Sequence, residues 1–486
     1  MGPGRSRNRD PDIPRDWPDW PLDGPEGAGC VRPTTCGRRD LLDRCSGIRE
    51  HRSGAGCGAD HGTAASVCLI RRERPGRDDG RVRDPLEYRP TGLVTVERRP
   101  AARAVTRPRR GGVVIAGGGT AGHLLPGLAV AGALVERTIV SGPEFVHIVG
   151  SRRGIETSLV PEAGFGLTVL SGRGIQRRLT PANLLALTGL LAALLRALHL
   201  LIRYRPSVVL ATGGYASIPC GLAAVLLRIP LLVAEQNAVA GEANRLLGRF
   251  AVAAIVAFPD TGLPRSVLTG NPVRRRVRDL SPSNSHLVQR ERMGFDETPV
   301  LVAFGGSLGS RRINTAVADM VERWDGASIV VHHVVGRRDW PGHLANPPEV
   351  PHRVDYRPVE YESDMPAVLA AADLVLCRAG ATTVAELTVI GRPAVLVPLP
   401  GAPRDHQTLN AKGLVDAGAA VLVKDADLDG DRLTAEVQNL FEDPVALEEM
   451  GESSRTMGRG DAADLVADLV GRVASGEAAT REHDRG

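Results

Sequence analysis

Aromatic residues are scarce, 3% of a 486-residue chain, with four tryptophans, five tyrosines and seven phenylalanines. Such a supply argues against the stacked-ring platforms that hold single-stranded nucleic acid. Charge of one sign is lacking too. Sixty basic against 56 acidic side chains leave +4, so nothing at whole-chain level calls for a nucleic-acid partner. No basic-then-apolar leader follows Met1. No apolar run is both long and charge-free enough to read as a membrane span. Cysteine is present but unpatterned. Five of the seven (Cys30, Cys36, Cys45, Cys57 and Cys68) lie early in the chain, and no pair has C-x-x-C spacing. Neither a zinc site nor a secreted disulfide framework is supported.

Residues 1–110 are rich in Arg, Asp, Pro and Gly and show no sustained period. They read as a disordered extension. The abrupt change of composition before the first apolar run suggests a translated upstream segment, with the functional start near Val94–Val105.

The stretch Val113–Val130 organises the rest of the chain. Val113–Ala116 is the short apolar run of a buried parallel strand, and Gly117-Gly118-Gly119 comes directly after it. Pro126, Leu125, Leu128 and Ala129 then suit a helix start. A strand, a glycine turn and a helix make an anion site: the backbone comes close to a ligand and free N–H groups face it. Gly117–Gly122 has GxGxxG spacing, but no acid ends a second strand about twenty residues on, as a dinucleotide site requires. His123 at the helix mouth suits a group-transfer site, where an imidazole can act as base; its bland alternative is to orient a bound diphosphate.

Phe145–Gly150 and Leu167–Leu170 read as the next strands, with a helix start at Ser151–Glu156 bearing Arg152 and Arg153, and a basic loop over Gly172–Arg178. Leu184–Ile202 reads as a helix, apolar nearly all round and flanked by Arg177, Arg178, Arg196, Arg203 and Arg205. Part of it must pack on a sheet as a crossover. An outward leucine face among arginines would suit a membrane surface, without spanning it. Ser207–Leu210 runs into a second glycine turn, Gly213-Gly214-Tyr215. Pro230–Ala234 leads to Glu235-Gln236-Asn237 at a strand's C-terminal end, where open α/β sheets bind ligands, so Glu235 and Asn237 are candidates, with Asn244 two helical turns beyond Asn237. Ala254–Ala257 and Ser266–Thr269 complete the first half, and Gly270–Arg274 reads as a linker.

A second half begins the same way. Pro299–Gly309 is a strand entering glycines, about 190 residues after the first. Ile329–Val335, Asp373–Cys377 and Pro393–Pro398 are further strands. Arg378–Glu386 is another strand-to-helix turn, with Thr382 or Thr383 as its expected N-cap. The fold class is therefore α/β, with two Rossmann-like doubly wound domains facing a cleft: residues 111–273, then 274–475, then a tail, 476–486. Asp425–Gly430 with Glu436 matches a calcium-loop pattern, but an apparent strand precedes it and Arg432 stands where an apolar residue belongs. An acidic loop capping a helix from Leu433 is the better reading.

Seven segments in order resemble the MurG family: GGGTAGHLLPGLAVA (Gly117–Ala131), ATGGYAS (Ala211–Ser217), EQNAVAGEANR (Glu235–Arg245), GNPVR (Gly270–Arg274), GGSLGSRRIN (Gly305–Asn314), CRAGATTVAEL (Cys377–Leu387) and DHQTLNA (Asp405–Ala411). The resemblance runs from about Gly112 to about Ala474. Ala234 stands where the family often has histidine, Ala121 where it often has glycine, and Glu362 where it usually has an apolar residue. The resemblance implies a GT-B fold and inverting transfer of N-acetylglucosamine from UDP-GlcNAc to the C4 hydroxyl of MurNAc in undecaprenyl-diphosphoryl-MurNAc-pentapeptide (lipid I), at the cytoplasmic face of the cell membrane, in peptidoglycan synthesis.

By the same resemblance, Glu386 takes the ribose hydroxyls. Ser307, Arg274 and the Ala381–Thr383 backbone, with Val384 and Ala385 beside it, hold the diphosphate. Gln407, Asn237 and the turn Thr120, Ala121 and Gly122 contact the sugar, and Glu362 falls against uracil. Gly119, Tyr215 and Asn244 belong to the acceptor side. His123 is the first candidate base and Glu235 the second. Helix N-termini and Arg274 can stabilise the leaving UDP, and no DxD motif stands at a strand end, so neither metal nor cofactor is expected. Two alternatives remain: another GT-B enzyme with a glycolipid or antibiotic acceptor, or a non-catalytic binder of nucleotide sugars or lipid diphosphates.

Overall fold

The computed structural model describes residues 111–151, 155–170, 182–280, 285–306 and 308–477, with the side chains of 182–187 left aside. The extension 1–110 with its five cysteines, Arg152, Arg153, the basic loop Gly172–Arg178, Ser307 and the tail beyond residue 477 lie outside the described residues.

The first sheet contains β1 (Val113–Gly117), β2 (Val146–Ser151), β3 (Gly166–Leu170), β4 (Val208–Gly213), β5 (Leu231–Glu235), β6 (Ala253–Val256) and β7 (Ser266–Leu268). All pairs are parallel, in the order β3-β2-β1-β4-β5-β6-β7. The second contains β8 (Val300–Phe304), β9 (Ile329–Val334), β10 (Val354–Val359), β11 (Leu374–Cys377), β12 (Ala394–Leu396) and β13 (Ala420–Leu422), again all parallel, in the order β10-β9-β8-β11-β12-β13. Helices cover both faces, so central strands need apolar side chains throughout; β4, β5, β8 and β11 meet that need and are almost wholly buried. Strand order reverses between β1 and β4, and again between β8 and β11. These are the points where a doubly wound sheet opens a crevice at its strand C-termini.

The edge strand β10 was not among the sequence-based expectations. The motif at Asp425 is divided between two structural jobs. Asp425 pairs with Arg378 at 2.6 Å, and Asp429 accepts the backbone N–H of Arg432 at 2.8 Å as N-cap of the helix Gly430–Glu442, which starts three residues before Leu433.

The closing helix Ala462–Ala474 falls inside the stretch expected to form the second half, 274–475. Its buried face, Ala463, Val466, Ala467, Val470 and Val473, nevertheless joins the core of the first sheet with Leu124, Val130 and Leu134. Arg137 binds Asp468 through both carboxylate oxygens, and Arg278 reaches Asp464 at 2.9 Å.

A buried polar network stiffens the second sheet. Asn314 gives its Nδ2 to the Val335 carbonyl and to Asp339, so its Oδ1 accepts from His333 Nε2 at 3.1 Å. His333 Nδ1 then accepts from the Tyr356 hydroxyl at 2.8 Å. Burial drives the His333 imidazole down to about 3, and that of His147, on β2, down to about 4. A histidine kept neutral in the fold takes up its proton first in the unfolded chain. Stability is therefore whole above pH ~6.5 and drains away as pH falls toward these values. The two together should cost about 4 kcal/mol between pH 7.5 and pH 5. Urea denaturation across that window should show the midpoint falling steadily; a flat profile would contradict it.

Candidate active site

The glycine turns after β1, β4, β8 and β11 converge on one cleft. Across it, Ala121, Gly122 and Leu125 of the first half line a cavity of about 280 Å³ together with Arg274, Gly306, Glu362, Gly380, Thr382, Thr383 and Glu386. The expected donor residues Ala121, Gly122, Arg274, Glu362, Ala381, Thr382, Thr383 and Glu386 are thus brought together. Val384 and Ala385 are not: they line a separate cavity of about 580 Å³ with Phe258 and Asn271.

The helix Ala381–Ile390 starts at this cavity. Its N-cap is Gly380, not either threonine, and no side chain caps it. The first-turn N–H groups are therefore free to meet an anion. The Thr382 hydroxyl is buried beside them without a hydrogen-bond partner, and a buried polar group of that kind calls for one. The Glu386 carboxylate is almost fully enclosed. Arg274 holds its Oε1 through Nε at 3.2 Å and an η nitrogen at 2.9 Å. Burial pushes the Glu386 carboxyl upward and Arg274 opposes that shift. Glu362 turns inward: its Oε1 accepts the Asp364 N–H at 2.8 Å, and its Oε2 lies 3.4 Å from His332 Nε2.

On the other side, His123 lines a second cavity of about 310 Å³ with Gly213, Glu235, Asn237, Asn244, Arg404 and His406. The ring packs on Gly213, where a Cβ would stand 2.9 Å from Nδ1 and Cε1; that position also has φ +100°. His123 Nδ1 lies 3.3 Å from Gln236 Oε1. Glu235, 3% exposed, takes four hydrogen bonds: Oε1 from the N–H and Nδ2 of Asn237, Oε2 from the N–H of Gly241 and from Asn244 Nδ2, all at 2.9–3.1 Å. A carboxylate so engaged fastens the loop after β5 to the start of the helix Glu242–Gly248, and its lone pairs are taken up in doing so.

Three expected contacts stand apart. Tyr215 packs against the helix Ala182–Tyr204, its hydroxyl donating to the Gly189 carbonyl at 3.5 Å. Gln407 accepts the Leu399 N–H at 2.9 Å and lines neither cavity. Gly119 is at the turn, but its N–H goes to the buried carboxylate of Glu156. That carboxylate fills the space a Cβ on Gly118 would need, so sterics as well as φ demand glycine there. Thr120, the N-cap of the helix Ala121–Glu136, is exposed at the same turn.

Sequence reasoning did not single out Glu156, Gln236, His406 or Asn410. Asn410 is wholly buried and crosses between halves: its Oδ1 accepts the Ala238 N–H at 2.8 Å and its Nδ2 donates to Asn237 Oδ1 at 3.2 Å. Asn410 lies within the DHQTLNA segment, the one signal that could have drawn attention to it.

The Glycosyltransferase family 28 N-terminal domain matches residues 113–256, and the Glycosyltransferase family 28 C-terminal domain matches residues 300–466. The UDP-N-acetylglucosamine–N-acetylmuramyl-(pentapeptide) pyrophosphoryl-undecaprenol N-acetylglucosamine transferase of Anaeromyxobacter dehalogenans (strain 2CP-C) is 40% identical over 370 residues, 74% of this chain and 91% of its own. The chain belongs to the MurG family, within glycosyltransferase family 28. A relative of the same name from Acidothermus cellulolyticus is 40% identical over 365 residues, covering 75% of this chain and 98% of its own. Among solved structures, MurG of Acinetobacter baumannii superposes with a TM-score of 0.60 at 29% identity, over 75% of this chain and 99% of that one. The family's two-domain GT-B fold is the fold described above, and the matches to the two halves fall on its two sheets.

Proposed function

We propose that this chain transfers N-acetylglucosamine from UDP-GlcNAc to the C4 hydroxyl of MurNAc in lipid I, with His123 as base. The observation that carries the reading is the pairing across one cleft of an uncapped helix start, with Arg274 and Glu386 beside it, and an imidazole whose Nε2 has no partner among the described residues.

The nucleotide lies in the 280 Å³ cavity. Its diphosphate meets the first-turn N–H groups, the Thr382 hydroxyl and Arg274, and its ribose diol meets Glu386, a charged acceptor well suited to two hydroxyls. His123 Nε2 removes the C4 proton as that oxygen attacks the anomeric carbon from the face opposite the departing UDP, which inverts the centre. Negative charge gathering on UDP is met by a helix N-terminus and a guanidinium already in place. Glu235 acts by holding Asn237 on its loop and Asn244 on the helix that follows. Residues 111–273 form the acceptor and membrane side, and 274–475 the nucleotide side, with the closing helix returned to the first. The direct test is radiolabelled UDP-GlcNAc with a short-chain lipid I analogue. Label must pass to that analogue and not to diacylglycerol.

Among the described residues, no helix is long and apolar enough to cross a membrane. The helix Ala182–Tyr204 supports surface attachment instead. Ala193, Ala197 and Leu201 face the core, while Leu191, Leu195 and Ile202 are 57%, 58% and 56% exposed beside Arg196 and Arg203. We read this face as resting on the cytoplasmic leaflet, where apolar burial and anionic headgroups add. The double variant Leu191→Ser, Leu195→Ser should lose at least tenfold in partition to anionic vesicles, at ~25 cal/mol per Å² of apolar surface no longer buried. Co-sedimentation measures this, and unchanged partition would remove the helix from the membrane contact.

A further inference from the structure

Gln236 follows Glu235 at the end of β5 and is 2% exposed. Its side-chain amide can point only one way. Nε2 donates to the Ala234 carbonyl at 3.2 Å, and reversing the amide would set two oxygens against each other. Oε1 is therefore the atom presented to His123, 3.3 Å from Nδ1. An amide oxygen accepts and cannot donate, so the Nδ1 that faces it carries the proton. A neutral imidazole has one N–H, which leaves the lone pair on Nε2. Gly213 packs against the ring, leaving no room for a Cβ beside Nδ1 and Cε1, and the Thr212 hydroxyl ties down the His123 backbone through its carbonyl at 3.0 Å.

We propose that Gln236 is the positioning residue that fixes the tautomer of His123, keeping Nε2 unprotonated toward the cavity where the acceptor hydroxyl must come. The inference rests on the reading of His123 as base. It adds which nitrogen does the work and what ensures that it is free. In the other tautomer Nε2 would bear hydrogen and could not take the C4 proton.

The remaining charged groups of the cavity are otherwise engaged. Glu235 is saturated by four donors. Arg404 pairs with Glu242 across the cleft. His406 donates its own Nδ1 proton to the Pro403 carbonyl at 2.9 Å. None of them reaches His123 Nδ1 with a hydrogen bond, so among the described residues Gln236 alone sets that edge of the ring.

Two variants and one spectrum test this. Gln236→Met keeps length and loses the acceptor. Its kcat should fall about tenfold, a part of the 10²–10⁴ that a base supplies, with KM for UDP-GlcNAc unchanged. Gln236→Glu restores an acceptor that bears charge. With its second oxygen set against the Ala234 carbonyl it should recover kcat only in part, above Gln236→Met, and it should move the acidic limb of the pH–rate profile upward, because a carboxylate favours the imidazolium. In full-length protein with ¹⁵N-labelled histidine, the signal missing from His123→Ala should report an Nδ1–H, Nε2-bare ring in wild type and a mixture in Gln236→Met. An Nε2–H ring in wild type, or a Gln236→Met enzyme with wild-type kcat and pH profile, overturns the proposal. Should Gln236→Met not fold, the wild-type spectrum and the Gln236→Glu profile still decide. Wild-type protein that transfers nothing, yet shows the bare Nε2 and loses it on substitution, would sink the reading of His123 as base and leave the tautomer assignment standing.

Discussion

His123→Ala should lower kcat for transfer to a lipid I analogue by about 10²–10⁴-fold, the range that a positioned general base supplies. KM for UDP-GlcNAc should barely change, because the ring lines the cavity on the far side of the cleft from Arg274 and Glu386. The fold should tolerate the change. Among the described residues His123 makes one side-chain hydrogen bond, to Gln236, and its structural link to Thr212 runs through the backbone carbonyl, which alanine keeps. Steady-state kinetics on purified wild type and variant measures both parameters. An unchanged kcat would remove His123 as base. A raised KM with kcat intact would make it a binding residue.

Glu386→Gln should weaken UDP binding about 10–100-fold, on the scale of one or two hydrogen bonds to a charged acceptor. Only Oε1 is held by Arg274, so Oε2 is the atom left for the ribose. The amide also frees Arg274, whose side chain is 34% exposed, from its counter-charge. A guanidinium released to the diphosphate would offset part of the loss. Titration calorimetry with UDP gives the constant directly. Binding as tight as wild type would dissociate Glu386 from the ribose. The effect belongs to the nucleotide, so kcat at saturating UDP-GlcNAc should move far less than Kd.

How far each element was legible in the sequence depends on how strongly it is constrained. Central strands such as Val208–Gly213 and Val300–Phe304 are sandwiched between helices and must be apolar on both faces, so they stand out as unbroken runs. Val354–Val359 has one neighbour, β9, and tolerates Asp355, Arg357 and Pro358; that freedom hides an edge strand. The glycine turns were readable because close backbone approach leaves glycine in the chain. The groups that fill the turns were not. Glu156 reaches Gly119 from 37 residues away, and Gln236 reaches His123 from 113 away. Such partners are set by the packing of strands, and no local period announces them. Threonine looked like a cap at 382 or 383, but Gly380 takes the place and the threonines fall in the first turn. The last helix was placed by the sequence only within the second half, 274–475, and nothing local in it says which of two cores it covers.

That last helix has a mechanical meaning. The chain passes from first half to second near Gly270–Arg274 and comes back before Ala462, so two strands of backbone join the halves, side by side, with Arg278 bound to Asp464 between them. Two adjacent tethers resist twisting and sliding of the halves more than they resist bending about the line that joins them. Residues 111–273 made without the closing helix would leave the apolar patch around Leu124, Val130 and Leu134 bare. The boundary between substrate-holding regions therefore does not coincide with any single cut in the polypeptide.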